Sequence, residues 1–181
     1  MKVKTFLKEN SYMMVRLFLN QIAMSLFSIM MVTFRVLANS PFVDFIVGLF
    51  CVIFYLFVQY VTIWQEGAKD RVKVDTGREE RQPRKGLRIA LGANSVNILL
   101  VILSTVGRLT GNGYLCVATP IIALTHAMYS SFITMYSPNN PIGHVLILFP
   151  AILIIYAGYE LGYRNIRIGK YFGIKERKKD R

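Results

Sequence analysis

Long apolar runs separated by charged segments constrain this 181-residue chain more than any other feature of its sequence. A helix rises about 1.5 Å per residue and the hydrocarbon core of a membrane is about 30 Å thick, so a spanning helix needs roughly 17–25 mostly apolar residues. Four runs meet this requirement, at residues 17–34, 45–64, 89–107 and 142–163. The sequence therefore predicts one all-α integral membrane domain, residues 1–181, with four transmembrane helices.

A fifth apolar segment, residues 114–136, is ambiguous because it also contains a proline, a histidine and several hydroxyl side chains. The distribution of charge resolves the ambiguity, since short cytoplasmic loops collect Lys and Arg. Of the 22 basic residues, all except Arg35 and Arg108 lie in the N-terminal head, in segment 65–88 or in the tail 164–181. Both termini and segment 65–88 are thus expected in the cytoplasm. Segment 114–136 is then a re-entrant or interfacial helix on the outer face.

Polar uncharged side chains inside the predicted spans fall at similar depths. Four of them lie roughly 6–9 Å below the cytoplasmic boundary and a fifth lies deeper; the set is Asn20, Gln21, Gln59, Asn94 and Asn97. In the first interpretation they hold helices together, each hydrogen bond contributing about 0.6 kcal/mol. In the second, they line a polar cavity that opens to the cytoplasm and accepts a small neutral or anionic solute.

The outer segment has a small polar face, because His126, Ser130 and Thr134 recur every fourth residue of a helix. A second histidine, His144, falls on the same side of the membrane. Two histidines without an acidic or cysteine companion do not make a metal site. We therefore predict a structural role for His126, with neither a metal nor a cofactor.

Segment 65–88 carries eight basic and five acidic residues. Val72 and Val74 alternate with charges and the sequence Asp-Thr-Gly follows at 75–77, a pattern that predicts a short hairpin. Such dense mixed charge suits a docking surface for a cytoplasmic protein, with candidate contacts at Glu66, Lys69, Asp70, Arg71, Asp75 and Arg78. It is equally typical of a solvated loop that only carries a topology signal.

The C-terminal tail is polybasic. Each positive charge near an anionic inner leaflet contributes about 1 kcal/mol to membrane binding, and the tail offers Lys175, Arg177, Lys178 and Lys179. Because the basic residues lie between membrane spans, they do not indicate nucleic-acid binding. Anionic lipid is therefore a predicted partner.

The sequence lacks the motifs of the common enzyme mechanisms: there is no nucleophile elbow, no zinc-protease motif and no phosphate-binding glycine loop. We therefore predict a non-enzymatic protein, an accessory or adaptor subunit that docks a cytoplasmic partner through segment 65–88. The alternative is a small-solute transporter, or the substrate-binding membrane subunit of one. The sequence leaves the oligomeric state, the partner and the solute open.

Several short runs carry a resemblance. They are Leu-Asn-Gln at 19–21, Trp-Gln-Glu-Gly-Ala-Lys-Asp-Arg at 64–71, Val-Asp-Thr-Gly-Arg at 74–78, Lys-Gly-Leu at 85–87 and Ala-Asn at 93–94. With these runs the chain resembles a family of small, functionally uncharacterised multi-pass membrane proteins from Gram-positive anaerobic bacteria, over most of its length. The resemblance implies a bacterial cytoplasmic membrane and a role for segment 65–88 beyond that of a spacer. It brings no assigned activity.

Overall fold

The computed structural model describes residues 3–132 and 141–166, and within these ranges the protein is all-helical without a β-strand. This confirms the predicted all-α class. A 3-10 turn at Ala127–Tyr129 follows the sixth of the seven α-helices of the described ranges. The α-helices are α1 (Val3–Ala38), α2 (Pro41–Asp75), α3 (Lys85–Ala93), α4 (Ser95–Thr110), α5 (Gly113–Cys116), α6 (Ala118–Thr125) and α7 (Pro141–Tyr163).

Three of the described helices are long and apolar enough to cross a membrane: Thr5–Met31 within α1, α2 as a whole, and Val145–Tyr163 within α7. Helices α3 and α4 are each too short to cross and qualify only as a pair, with a bend of 54° between them. The predicted runs 17–34, 45–64 and 142–163 fall within α1, α2 and α7.

The predicted run 89–107 is not a single helix, because the helix breaks at Asn94. Asn94 Nδ2 donates to the carbonyl of Ala90 at 2.9 Å, and Ser95 Oγ donates to the carbonyl of Gly92 at 2.8 Å. Side chains of this type compete with the backbone for its hydrogen bonds. The bend therefore follows from two adjacent polar residues within an apolar run.

The expected hairpin at 75–77 is also wrong, because α2 continues as a helix to Asp75. Gly77 has a φ of +68°, and its N–H donates to Val74 O, while Arg78 N–H donates to Lys73 O. This pair of bonds is a Schellman motif, which ends a helix on a left-handed glycine. The glycine that suggested a β-turn is thus a helix cap.

Glycines bring α2 and α7 into close contact. A Cβ added at Gly67 would fall on the carbonyl oxygen of Tyr159, and one added at Gly162 would fall on that of Trp64. At Gly158 it would lie 2.7 Å from the side chain of Ile63. Gly158 and Gly162 of α7 therefore pack against α2 of the same chain, as small residues do in membrane helix pairs.

One end of the bundle gathers the start of α1, the end of α2, the start of α3 and the end of α7. The guanidinium of Arg88 lies 5.6 Å from the centre of the Phe6 ring, and Trp64 Nε1 donates to Ile166 O at 2.8 Å. At the other end, Ser131 Oγ donates to the carbonyl of Asp44 at 3.2 Å. A buried apolar core that includes Leu17, Ile63, Ile89 and Ile155 lies next to the first of these ends.

Candidate functional sites

A buried ion pair lies at the end of the bundle where segment 65–88 is placed. Lys85 Nζ is 2.7 Å from Asp70 Oδ2, and the hydroxyl of Tyr159 donates to the same oxygen at 2.8 Å. Lys73 Nζ is 3.5 Å from Asp70 Oδ1. These four residues, which we call the Asp70 cluster, join α2, α3 and α7.

Local geometry fixes the Asp70 cluster. Arg84 takes a left-handed conformation with a φ of +62°, which directs the chain into α3 directly before Lys85. Gly86 follows, and a Cβ there would lie 2.8 Å from the ring of Tyr159. The small residue therefore allows α3 to approach α7 closely enough for Lys85 and Tyr159 to meet Asp70.

The environment of the cluster makes it a structural anchor. Asp70 and Lys85 are only 4% and 8% exposed. Removal of one partner from such a pair leaves an uncompensated buried charge, which is strongly destabilising. Outside the buried pair, a hydrogen bond from Lys73 to the Glu79 carboxylate raises the pKa of Lys73, so the lysine stays charged. The cluster holds segment 65–88 against the end of the bundle.

Most of the predicted docking residues lie on the outside of this anchored segment. Lys69 and Asp75 are exposed, and Glu66 and Arg71 are partly exposed. Within α2, Lys69 pairs with Glu66 at 3.6 Å and Arg71 with Asp75 at 3.3 Å. Exposed pairs of this kind contribute little to stability. Asp70 is not part of this surface, because its carboxylate is buried in the cluster.

Within segment 65–88, the turn 76–84 carries the charged side chains that have the fewest ion-pair partners. Arg78, Glu80 and Arg84 are exposed, and within the described ranges none of them forms an ion pair. Arg81 lies 3.8 Å from Glu160 of α7, which ties the turn to the bundle. We call the exposed residues of 66–84 the charged platform.

The predicted polar layer forms a hydrogen-bonded network centred on Gln21 of α1. Asn97 Nδ2 donates to Gln21 Oε1 at 2.7 Å, and Gln21 Nε2 donates to Thr125 O at 3.1 Å. The same nitrogen lies 3.3 Å from His126 Nε2. Asn97 also reaches Asn94 Oδ1 at 3.3 Å. Gln21 thus links the break between α3 and α4 to the end of α6.

The two remaining layer residues join α1 to α2. Asn20 Nδ2 donates to Thr62 Oγ1 at 3.0 Å, and Gln59 Nε2 donates to Leu17 O at 2.9 Å. Each of these bonds connects two helices. The contacts therefore support the first interpretation of the layer, in which polar side chains hold helices together.

His126 is buried, at 3% exposure. Because the amide nitrogen of Gln21 only donates, His126 Nε2 is the acceptor in their contact. Nδ1 lies 3.0 Å from Thr125 Oγ1. Ser130 lies one turn further and is partly exposed, whereas Thr134 and the tail residues 175–179 fall outside the described residues.

Two serines of α1 complete the contact with the segment after α4. Ser25 Oγ donates to the carbonyl of Thr125, and Ser28 Oγ donates to that of Ala127 at 3.1 Å. These carbonyls lie where α6 gives way to the 3-10 turn, so the serines satisfy acceptors released by the end of the helix. Nothing in the local sequence of the two serines indicates these partners, which lie about a hundred residues away.

Replacing Gln21 with Leu is expected to destabilise the bundle by about 1–3 kcal/mol, because the buried amide of Asn97 and the carbonyl of Thr125 each lose one of their two hydrogen bonds. Thermal unfolding of the detergent-purified protein measures the effect. Gln65→Leu, at an exposed position on α2, serves as the control and is expected to unfold at the wild-type temperature. Equal unfolding temperatures for the two variants would show that the network contributes nothing to stability.

Comparisons of the chain with protein-family models, with curated proteins and with solved structures found no match.

Proposed function

We propose that the protein is a membrane-embedded adaptor whose charged platform docks a cytoplasmic partner. The supporting observation is the Asp70 cluster, which fixes the segment through a buried carboxylate–ammonium contact of 2.7 Å. Burying two charges for a mere spacer costs several kcal/mol of desolvation per ion with no gain in packing. A preordered surface loses less conformational freedom on binding than a loose loop does.

The charge of the platform favours a partner with an acidic surface. Arg78 and Arg84 project from opposite ends of the turn 76–84, both exposed. Neither is neutralised within the described ranges, so both are available for a partner's carboxylates. Arginine is well suited to this role, because its planar guanidinium binds a carboxylate through two parallel hydrogen bonds.

The proposal includes the topology expected from charge: four spans, both termini in the cytoplasm of a bacterial cell, and a re-entrant segment between α4 and α7. Its support is that α4 ends and α2 begins at the end of the bundle remote from Asp70. At that end, Gly107 of α4 packs on Leu115 and Ser131 bonds to Asp44. Thr125, which lies between Leu115 and Ser131 in the sequence, bonds instead to Gln21, at a deeper level of the bundle. The chain thus enters and leaves this region from one side.

Cysteine labelling tests the topology. In a background without native cysteines (Cys51→Ala, Cys116→Ser), Thr76→Cys is expected to react with a membrane-impermeant maleimide only after the cells are permeabilised. Asn112→Cys is expected to react in intact cells. Reversed labelling, or labelling of both positions from outside, would contradict this topology.

Charge reversal tests the docking proposal. The double variant Arg78→Glu/Arg84→Glu is expected to lower recovery of the co-purifying cytoplasmic partner at least tenfold, because two unfavourable charge contacts replace two favourable ones. Arg78→Lys/Arg84→Lys keeps the charge but loses the two parallel hydrogen bonds, so its recovery is expected to lie between those of the wild type and the Glu variant. Recovery is measured from native membranes in mild detergent, normalised to the inserted protein. If the Glu and Lys double variants recovered equal amounts of the partner, docking through these arginines would be refuted.

A further inference from the structure

Three buried polar groups within the bundle have no hydrogen-bond partner in the described part of the chain: Gln59 Oε1, Asn97 Oδ1 and the hydroxyl of Tyr129. The residues are 1%, 0% and 6% exposed. Almost all buried polar groups in proteins are paired, so each exception requires a reason. Here three exceptions come from three different elements, namely α2, α4 and the 3-10 turn.

Contacts through α1 and through neighbouring aromatic rings link the three residues. Gln59 contacts α1 at Leu17, and Asn97 contacts α1 one turn further, at Gln21. The ring of Tyr129 lies 6.4 Å from that of His126, which bonds to Gln21. The same ring lies 6.2 Å from that of Tyr55, one turn before Gln59 on α2. Gln21 and the aromatic rings thus connect all three unpartnered groups.

Two helix interruptions meet at these residues. Asn97 lies in the first turn of α4, directly after the break at Asn94, and Tyr129 ends the 3-10 turn that follows α6. Within a membrane, interrupted backbone is tolerated where it is buried in protein or lines a polar cavity. Membrane transporters bind their substrates at such interruptions, near the middle of the membrane. The polar layer is therefore suited to binding a solute as well as to holding helices together.

We propose that Gln59, Asn97 and Tyr129 form a binding site for a small neutral solute that donates hydrogen bonds and crosses the membrane. The two amide oxygens can only accept hydrogen bonds, so the ligand must supply donors. The three side chains carry no charge that would compensate an ionic ligand. Amides, ureas and small polyols have the required chemistry. This site does not depend on the docking proposed for the charged platform.

Tyr129→Phe is the sharpest test, because it keeps the ring contacts and removes only a hydroxyl that has no partner among the described residues. The full-length protein is reconstituted in liposomes, and the fluxes of urea, acetamide and glycerol are followed by stopped-flow light scattering. Flux is normalised to folded protein. Tyr12→Phe, at a hydroxyl on an exposed side chain, is the matched control.

The wild-type protein is expected to raise the flux of at least one probe above that of protein-free liposomes. Tyr129→Phe is expected to lower this flux about fivefold, the effect of one lost hydrogen bond, while Tyr12→Phe leaves it unchanged. Fluxes equal to those of empty liposomes would overturn the proposal, as would a probe flux that Tyr129→Phe does not change. Permeability to water or to monovalent cations alone would likewise overturn it.

Discussion

Asp70→Asn is expected to lower the free energy of unfolding by about 3–5 kcal/mol, because it leaves the ammonium of Lys85 buried without a counter-charge. The amide keeps the size of the carboxylate, so the loss reports on charge and not on packing. Asp70 also accepts the hydroxyl of Tyr159 at 2.8 Å, and this bond weakens when the acceptor becomes neutral. Unfolding of the purified protein in mild detergent, followed by circular dichroism, measures the change.

Two further variants distinguish the loss of the buried ion pair from the loss of an exposed charge. Asp75→Asn removes a carboxylate that is paired with Arg71 but exposed, and the expected loss is below about 1 kcal/mol. Adding Lys85→Gln to Asp70→Asn removes the uncompensated charge and is expected to recover part of the stability. If Asp70→Asn and Asp75→Asn destabilise equally, the Asp70 cluster is not the anchor of segment 65–88.

Gly162→Ala is expected to lower stability by about 1–3 kcal/mol or more, the cost of forcing an extra methyl group into a packed core. The added Cβ would fall on the carbonyl oxygen of Trp64. Backbone cannot move aside as a flexible side chain does, so α2 and α7 must separate. Separation would also weaken the bond between Tyr159 and Asp70, since these residues lie on the same two helices.

Gly143→Ala, in the same helix, is the matched control. A Cβ at Gly143 meets none of the residues that the structure describes within 4 Å, and alanine has the higher helix propensity. Thermal unfolding temperatures are expected to fall for Gly162→Ala and to stay equal or rise for Gly143→Ala. Equal behaviour of the two variants would mean that the close contact between α2 and α7 does not limit stability.

The apolar runs predict the positions of the membrane helices well, because length and hydropathy are properties of local sequence. Run 142–163 and helix α7 differ by a single residue at the start. The same reasoning fails where polar side chains bond to the backbone or where a glycine ends a helix. Asn94 and Ser95 break a run that is apolar enough for one span, and Gly77 caps a helix where its neighbours suggested a hairpin.

The candidate sites are predicted only in part, because residue types are visible in the sequence and their partners are not. The shared depth of Asn20, Gln21 and Gln59 follows from their distance to the flanking charges. That Gln21 bonds to Thr125 does not follow, since the contact spans 104 residues of sequence. Asp70 shows the same limit: its charge suggested an exposed contact residue, whereas Lys85 and Tyr159 bury it.

Photo-crosslinking in living cells tests the central claim, docking through the charged platform, most directly. A photoreactive amino acid is placed at position 78 or 84 of the platform, and at the exposed position 12 of α1 as the control. We expect one recurring cytoplasmic protein to be crosslinked at positions 78 and 84 and not at position 12. We expect this adduct to be lost when the other arginine of the pair Arg78 and Arg84 is changed to Glu. Platform positions that yield no adduct, or only the adducts seen at position 12, would contradict it.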